Sequence, residues 1–442
     1  MTTGSGRPRP VPISFDTGTP VVVLKVGRYA LHHGGLGAIR TLGRVGVPVY
    51  GVHEDRLAPA AASRYLAGKF IWETGGESVE RFLQGMTELG RRLGRPAILV
   101  PTDDLAAILL AEHAAALEEW FEFPRPPAAL PRTVASKWGL YQLCKRLGVP
   151  CAEAVIPQSR AEVEAFLERA TFPVVVKAAE AWLLHGSGVK STTIVETPEQ
   201  VLGIYDRVAG RSDTKVMFQE YIPRDRGEDW VFHGYCDARS ECLAGFTGVK
   251  LRSYPPHAGL TTLGRCISNE ALRRQAEALF KAISYRGIMD LDYRLDRRDG
   301  QYKLLDFNPR VGAQFRLFED DAGIDVVRAL HLDLTGRPVP RGRPRDGRGF
   351  VVEPYDLLAS WGYHRDGGLT FRAWLRSLKG VEERAWIAAD DPAPFSVMCL
   401  RFLASGVLRA LPLEPPLVAD WRPPRYVAGP RRRRTPPPPD GG

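Results

Sequence analysis

The sequence predicts a protein of the α/β and α+β classes, in which a parallel sheet comes first and units with antiparallel strands follow. Residues 21–100 alternate short apolar strands with helical stretches, a rhythm that indicates βαβ units and a parallel sheet covered by helices. With 442 residues, 44% of them hydrophobic, the chain can bury a large core and should divide into about two to four domains. The four predicted strands of the first sheet are Val21–Leu24, Val47–Val52, Lys69–Trp72 and Ala97–Val100.

Proline positions and composition suggest where the domains begin and end. The Pro-rich stretch 124–131 marks the first boundary, and Pro223 ends a strand near the middle of the second unit. The predicted segments are a disordered stretch 1–18, a parallel α/β domain over 19–130, a second domain over 131–338 in two lobes split near residue 222, a helical C-terminal appendage over 345–415, and a disordered basic Pro/Arg tail over 421–442. The appendage either caps a cleft or packs without contacting a ligand.

The net charge of +9 is concentrated at the ends of the chain. Residues 421–442 contribute +5 and residues 1–18 contribute +1, which leaves +3 for the folded body. A solvated tail explains this block, so nucleic-acid binding ranks last among the functions we consider and no specific nucleic-acid partner is expected. No stretch approaches the roughly 20 apolar residues of a membrane span, and the N-terminal residues lack a signal-peptide apolar region, so we expect a cytoplasmic protein.

A hairpin near residue 300 carries the most informative polar side chains. Strands 288–295 and 304–310 flank the turn 296–300, and Asp306 and Asn308 share one face because side chains two positions apart point the same way. Asp292 on the first strand can lie beside them. Crowded carboxylates need a cation, and all-oxygen ligands suit magnesium, which usually completes its coordination with substrate phosphates. The alternative is a hairpin with ordinary solvated acids.

Two further segments carry residues suited to phosphate. Strand 172–177 ends on Lys177, and a lysine that ends a buried strand reaches either the surface or an anion. The loop 185–191 that follows contains Gly188 and Lys190, but Val189 interrupts the Gly-Lys-Ser/Thr of a phosphate-binding P-loop. The loop can still fold its backbone amides over phosphate oxygens, or it can be a surface loop without a ligand.

The Gly-rich turn 32–40 does not complete a dinucleotide fingerprint, because Arg40 occupies the position that requires Gly or Ala. Strand 215–223 is the better candidate for a nucleotide contact, since Pro223 offers no amide to a sheet and leaves neighbouring backbone groups for another partner. Glu220 and Glu228 are placed to meet an exocyclic amine and a ribose hydroxyl, although a lone acid at such a position is more often a solvated turn residue.

These motifs appear in the order found in ATP-grasp ligases. The resemblance extends from about residue 20 to about residue 335, and the N-terminal part is similar to the preceding domain of the carboxylate–amine ligase branch that includes the D-aspartate ligases. It implies an ATP-grasp fold with an N-terminal parallel α/β (pre-ATP-grasp) domain. The residues that carry the resemblance are Lys137, Lys177, the loop 185–191, Gln219 to Ile222, Glu228, Asp292 and Asp306 to Arg310.

The resemblance also implies a role for each of these residues. Lys137, Lys177, Gly188 and Lys190 would contact the phosphates of ATP, Glu220, Tyr221 and Ile222 would form the adenine hinge, and Glu228 would hold ribose. Asp292, Asp306 and Asn308 would bind Mg²⁺, with Mn²⁺ as an alternative. Many family members carry Glu at the position of Asp306. Because the aspartate side chain is shorter, the resemblance does not decide whether one or two ions bind.

The implied function is an ATP- and Mg²⁺-dependent ligase that activates a carboxylate as an acyl phosphate and joins it to an amine, with amino-acid or peptide substrates. Arg310 would be the catalytic residue and would face the reacting carboxyl or phosphoryl group. The alternative for Arg310 is a structural salt bridge to a nearby acid. Lys250, Arg252 and Arg265 are further candidates for substrate or phosphate contact, or else belong to a solvated basic surface. The alternative function is an ATP-binding regulatory module that has lost turnover.

Overall fold

Three β-sheets organise the part of the chain that the computed structural model describes. This part comprises residues 13–27, 31–179, 192–208, 216–223, 229–256, 259–409 and 425–428. Its sheets have six, seven and four strands, and helices cover them, which confirms the predicted α/β and α+β classes. None of the helices within these ranges is both long and apolar enough to cross a membrane.

The N-terminal sheet contains five parallel strands. Strands β1 to β5 are Val21–Leu24, Val49–His53, Leu66–Ile71, Ala97–Pro101 and Phe121–Glu122. Helices α1 to α4 are His33–Arg44, Val79–Leu93, Asp104–Glu112 and Ala114–Leu117. Val21 and Val23 pack into one core whereas Val22 and Leu24 pack into another, so both faces of β1 are buried. Strand β1 lies between β2 and β4, so the order of strand addition reverses there.

A small lobe follows two short helices. Helices α5 and α6 are Leu130–Ala135 and Lys137–Leu147. Strands β6 to β9 of the four-stranded sheet are Ala154–Val155, Val174–Ala178, Thr192–Val195 and Val216–Glu220, and helices α7 and α8 are Arg160–Leu167 and Pro198–Val208. The sheet is antiparallel in the order β6-β9-β7-β8, and the two helices pack against it around a separate apolar core.

The large lobe is built on the seven-stranded sheet. Strands β10 to β14 are Asp229–Cys236, Cys242–Tyr254, Leu260–Cys266, Gly287–Asp296 and Gln301–Asn308. Helices α9 and α10 are Glu270–Ala282 and Val326–Leu334. The predicted hairpin is the pair β13–β14, which forms one edge of this sheet in the order β14-β13-β10-β11-β12. One continuous apolar core joins this sheet to helix α1 and the N-terminal sheet.

The C-terminal segment contains the predicted helices and also adds strands to the sheets. Strand β15, Gly349–Val351, and strand β16, Val381–Arg384, extend the large sheet, and helices α11 to α13 are Glu353–Arg365, Phe371–Ser377 and Ala393–Arg409. The segment is fastened to α1 by a buried ion pair, since Arg40 Nε lies 3.0 Å from Asp391 Oδ2 and both side chains are 1% exposed. The predicted Gly-rich turn is part of helix α1, and Arg40 occupies its position there for a structural reason.

The expectation that both chain ends are disordered is wrong for the residues of those ends that the structure describes. Ile13 and Phe15 pack against the core. They are apolar residues in a stretch that is otherwise rich in Gly and Pro, and the composition of the whole stretch concealed them. Residues Arg425–Ala428 form strand β17, which pairs antiparallel with β3. An edge strand such as β3 presents unpaired backbone groups, so even a short segment between basic stretches can add to it.

Candidate active site

The candidate site lies on one face of the β13–β14 hairpin. Asp292 pairs with Asp306 across the two strands, and Asp290 pairs with Asn308. Cross-strand partners and residues two positions apart share a face, so the structure brings the three predicted metal ligands together. It also adds Asp290, which the sequence reasoning missed although it stands two positions before Asp292.

Two lysines pair with the proposed metal ligands. Lys137 Nζ forms an ion pair with Asp306 Oδ1, and Lys250 Nζ lies 2.7 Å from Asp292 Oδ1. Lys137 is the first residue of α6, where the Ser136 side chain caps the helix by accepting a hydrogen bond from its first turn. Its own backbone N–H donates to Ala179 O at 2.8 Å, which ties this helix to the end of β7.

Lys177 reaches the same cluster from the small lobe. Burial lowers the pKa of Lys177 to about 8, because attraction to Asp306 is not enough to offset the cost of burying the ammonium group beside Lys137 and Arg294. A buried ammonium held near other cations gains from an added anion. This position therefore suits a phosphate group.

The carboxylates show why the cluster fits a divalent cation. Burial raises the pKa of Asp292, and the neighbouring Asp290 and Asp306 raise it further against the opposing effect of Lys250. Burial also pushes the pKa of Asp306 upward, but its lysine neighbours outweigh this and leave it below the usual value. A cation between the two carboxylates would relieve their repulsion.

The oxygen atoms of the predicted ligands suit magnesium better than a softer metal. In the described ranges there is no group of three or more His, Cys, Asp or Glu side chains arranged to hold a metal by themselves. Two carboxylates and one amide oxygen suit Mg²⁺, which keeps few protein ligands and shares its remaining positions with phosphate and water. The amide nitrogen of Asn308 donates to Asp290 O at 3.1 Å, so the oxygen is the ligand atom this side chain has to offer.

Arg310 is held at the edge of the cluster by two carboxylates. Its Nη1 donates to Asp290 Oδ2 at 3.0 Å, and its Nε lies 3.3 Å from Asp104 Oδ1. Burial lowers the pKa of Arg310, but Asp104 and Asp290 outweigh it and leave the pKa above the usual value, so the guanidinium is charged at every working pH. His233 completes the arrangement, with its Nε2 2.9 Å from Asp290 Oδ1.

Asp104 and His233 were also missed by the sequence reasoning. Asp104 is the first residue of α3 and follows β4, and the carboxyl ends of parallel strands are where open α/β sheets bind ligands. The position of Asp104 directly after a predicted strand could therefore have marked it as a candidate site residue. His233 is the cross-strand partner of Asp290 on β10, which only the register of the sheet reveals.

The predicted adenine hinge follows β9. Glu220 Oε1 accepts a hydrogen bond from Arg298 at 2.6 Å, and Ile222 O accepts one from Arg294 at 3.0 Å. Arg294 also lies 2.7 Å from Asp229, so the hinge is tied to the first and fourth strands of the large lobe. The hinge therefore couples the two lobes between which a nucleotide would lie.

The structure places two predicted residues, Arg252 and Arg265, away from the cluster, and three others cannot be assigned a position. Gly188, Lys190 and Glu228 lie outside the described residues. Arg252 is 4% exposed and binds Asp356 of α11 through two hydrogen bonds of 2.8 Å. Arg265 donates to backbone carbonyls, including Lys379 O at 2.9 Å. Both arginines therefore fasten the C-terminal segment to the large sheet, and we leave them out of the proposed site.

Comparisons with known proteins bear on this arrangement. No family model matches the chain. A D-aspartate ligase of Enterococcus faecium (strain Aus0004) is 26% identical over 296 residues, which cover 63% of this chain and 69% of the relative. Among solved structures, the biotin carboxylase domain of the Hydrogenobacter thermophilus 2-oxoglutarate carboxylase, in complex with MgADP, matches with a TM-score of 0.56 at 15% identity, covering 75% of this chain and 73% of that one.

A second solved structure is the ADP complex of an N5-carboxyaminoimidazole ribonucleotide synthetase. It matches with a TM-score of 0.56 at 11% identity and covers 75% of this chain and 80% of that one. At such identities the structural matches show the fold. Together with the ligase relative they confirm the ATP-grasp resemblance seen in the sequence: the chain has an ATP-grasp fold and is similar to enzymes of the carboxylate–amine ligase type.

Proposed function

We propose that this ATP- and Mg²⁺-dependent carboxylate–amine ligase carries out its reaction at the hairpin cluster. The carboxylate of one substrate attacks the γ-phosphorus of ATP, so that ADP leaves and an acyl phosphate forms. The amine of the second substrate then attacks the acyl carbon, loses a proton and expels phosphate. The observation that supports this assignment is that α6, β7 and the β13–β14 hairpin bring the side chains of five residues together at one sheet face: Lys137, Lys177, Asp292, Asp306 and Arg310.

Each residue contributes through position and charge. Lys137 and Lys177 would hold the phosphate oxygens, and Asp292, Asp306 and Asn308 would hold magnesium. Magnesium-bound ATP supplies the transferable phosphoryl group, with much of its charge neutralised.

Arg310 would orient the reacting carboxylate and stabilise the oxyanion that forms when the amine adds. Asp290 and Asp104 are positioning residues, because their carboxylates hold the guanidinium of Arg310. Lys250 would neutralise Asp292 or join the phosphate contacts.

The test is ATP turnover with a panel of amino acids and short peptides, including both enantiomers of aspartate. Wild-type protein with ATP and Mg²⁺ should release ADP and phosphate, and mass spectrometry should find the amide. Asp306→Asn should reduce the rate of both roughly a hundredfold or more. Asp299→Asn is the matched control, because Asp299 is an exposed carboxylate in the turn of the same hairpin.

Two outcomes would decide against the proposal. Turnover in Asp306→Asn at the wild-type rate would show that the reaction does not take place at the hairpin. Tight ATP binding without product across the whole panel would favour the regulatory module. We further propose that the protein acts in the cytoplasm on small-molecule substrates, with no specific nucleic-acid partner.

A further inference from the structure

Helices α11 and α12 carry a group of exposed apolar side chains. Trp361 and Phe371 are each 66% exposed, and three leucines of the same helices, Leu357, Leu358 and Leu375, are also exposed. Exposed apolar residues that occur singly are ordinary, but a cluster of large ones usually marks a contact with another molecule. These five side chains therefore indicate an interaction surface, which we call the outer surface of α11 and α12.

The spacing of these residues places them on one face of each helix. Leu357, Trp361 and Arg365 follow one another at intervals of four along α11, and Phe371 and Leu375 are four apart on α12. Side chains four positions apart in a helix are neighbours on its surface. Each helix thus presents one continuous apolar face, and on α11 this face ends in a basic side chain.

The opposite faces fasten both helices to the large sheet. Arg252 of β11 donates to Asp356 of α11 at 2.8 Å and to Ser377 Oγ of α12 at 2.7 Å. Trp374 of α12 donates to Asp356 at 3.0 Å, so the two helices are also joined to one another. Since their inner faces meet at the same arginine, their outer faces point away from the sheet and form one surface.

The charges of the outer surface favour an anionic partner. Residues 357–379 contain four basic residues and one acid, a net charge of +3. The whole chain between residues 19 and 420 also carries +3, so the rest of this body is neutral overall. A concentrated positive charge attracts an anionic surface. The four basic side chains are all exposed, and none of them forms an ion pair with another described residue: Arg365, Arg372, Arg376 and Lys379.

We propose that the outer surface of α11 and α12 binds an anionic lipid membrane. Trp361, Phe371 and the three leucines enter the boundary between headgroups and acyl chains, while the basic side chains stay at the level of the lipid phosphates, as is typical of interfacial helices. The inference is independent of the proposed ligase reaction, because it uses no residue of the hairpin cluster.

A membrane matches both the charge and the apolar character of this surface, whereas two other partners match only one of them. In a symmetric dimer built on this surface, the basic residues of one copy would face those of the other, which is unfavourable. A nucleic acid would pair with the basic residues but would leave the five apolar side chains without an apolar environment.

Co-sedimentation of the full-length protein with lipid vesicles tests the proposal. Wild-type protein should bind vesicles of equal parts phosphatidylcholine and phosphatidylglycerol much more tightly than vesicles of phosphatidylcholine alone. This binding should weaken steeply between about 0.1 M and about 1 M salt, since the range of electrostatic attraction falls from roughly 10 Å to roughly 3 Å.

The apolar contribution is tested by the double substitution Trp361→Ser and Phe371→Ser. It should weaken binding to the anionic vesicles roughly tenfold or more, because two large apolar side chains no longer leave water. Leu57→Ser is the matched control, because Leu57 is 69% exposed on the N-terminal domain. This control should bind as the wild type does.

The electrostatic contribution is tested by a triple substitution on the outer surface: Arg372→Gln, Arg376→Gln and Lys379→Gln. Each charge near an anionic membrane contributes about fivefold, so the triple variant should bind about a hundredfold more weakly. The matched control removes the same charge from three exposed arginines elsewhere in the chain and should bind almost as the wild type does: Arg81→Gln, Arg95→Gln and Arg146→Gln. All the substituted side chains are exposed, so these variants should fold, and circular dichroism checks this.

A further variant separates the outer surface from the basic tail. It carries four substitutions in the full-length chain: Arg431→Gln, Arg432→Gln, Arg433→Gln and Arg434→Gln. In this background the substitutions on the outer surface should still weaken binding to anionic vesicles.

Several results would overturn the proposal. One is the absence of binding to anionic vesicles, and another is binding that the surface substitutions leave unchanged, whether or not the tail substitutions remove it. A wild-type dimer that Trp361→Ser and Phe371→Ser convert to a monomer in analytical ultracentrifugation would assign the surface to a second copy. Retention on duplex DNA without binding to vesicles would assign it to a nucleic acid.

Discussion

Replacing Lys177 should stabilise the protein and disable it. The pKa of Lys177 falls from its usual 10.5 to about 8 in the folded protein. A difference of 2.5 units corresponds to about 3 kcal/mol that the folded protein loses at pH 7 by keeping this lysine charged. Lys177→Met keeps the length of the side chain and removes the charge. Because Asp306 loses one attractive neighbour, we expect a net gain of roughly 1–3 kcal/mol in the free energy of unfolding.

The stability difference between the wild type and Lys177→Met should depend on pH in a defined direction. Between pH 8 and pH 10.5 the folded protein binds fewer protons at Lys177 than the unfolded chain does, so wild-type stability rises with pH across this window. The advantage of Lys177→Met should therefore shrink by about 2 kcal/mol between pH 7 and pH 9.5. Urea unfolding at the two pH values measures this difference, in which the other titrating groups largely cancel.

The same variant should lose affinity for nucleotide. Removal of a charged contact to phosphate should weaken ATP binding roughly tenfold to a hundredfold, as measured by calorimetry with Mg²⁺ present. Wild-type affinity should also decline above pH 8, since only protonated Lys177 attracts phosphate. Lys281→Met, which changes an exposed lysine 3.1 Å from Glu241, should leave both quantities nearly unchanged. A Lys177→Met protein that is less stable than wild type at pH 7, or whose stability difference does not vary with pH, would refute the reasoning.

Three further substitutions test the site and its support. Asp306→Asn should lower kcat roughly a hundredfold or more by removing one metal ligand, and a phosphate-release assay over a range of Mg²⁺ concentrations measures it. Gly312→Ala places a Cβ 2.5 Å from Asp290 Oδ2, so it should cost about 1–3 kcal/mol in chemical denaturation and lower kcat, and unchanged activity would contradict this account of the Arg310 anchor. Asp391→Ala leaves Arg40 buried without its carboxylate and should cost roughly 3–5 kcal/mol, visible as a lower Tm.

The hairpin was predictable because its chemistry follows a local rule. Side chains two apart along a strand share a face, and a short turn fixes the register of the neighbouring strand, so Asp292, Asp306 and Asn308 could be brought together from the sequence. The same rule would have found Asp290. Asp104 lies almost two hundred residues earlier, and only the packing of the N-terminal sheet against the large lobe places it beside Arg310.

The same rule fails for Lys250 and Arg252. They stand two positions apart on β11, and the sequence reasoning grouped them as candidates for one site. The register between β11 and β12 shifts between these two residues, so a regular alternation does not hold there. Lys250 turns to Asp292, whereas Arg252 binds Asp356, and nothing in the local sequence specifies such an irregularity.

The ion pairs of the cluster explain how the chain tolerates its partly buried acids in the absence of a nucleotide. Asp306 and Asp292 each carry a lysine partner, and a carboxylate that is buried without one would cost several kcal/mol. Lys137 and Lys250 could exchange these carboxylates for phosphate oxygens, which leaves the carboxylates for a metal. The exchange would conserve the number of charged contacts, so under the proposed function the lysines would act as counter-ions of the acids in one state and of ATP in the other. A purely structural ion pair needs no phosphate as a second partner. Lys177 lies close by, beside other cations and at a cost in free energy, and this favours a phosphate as the second partner of the cluster.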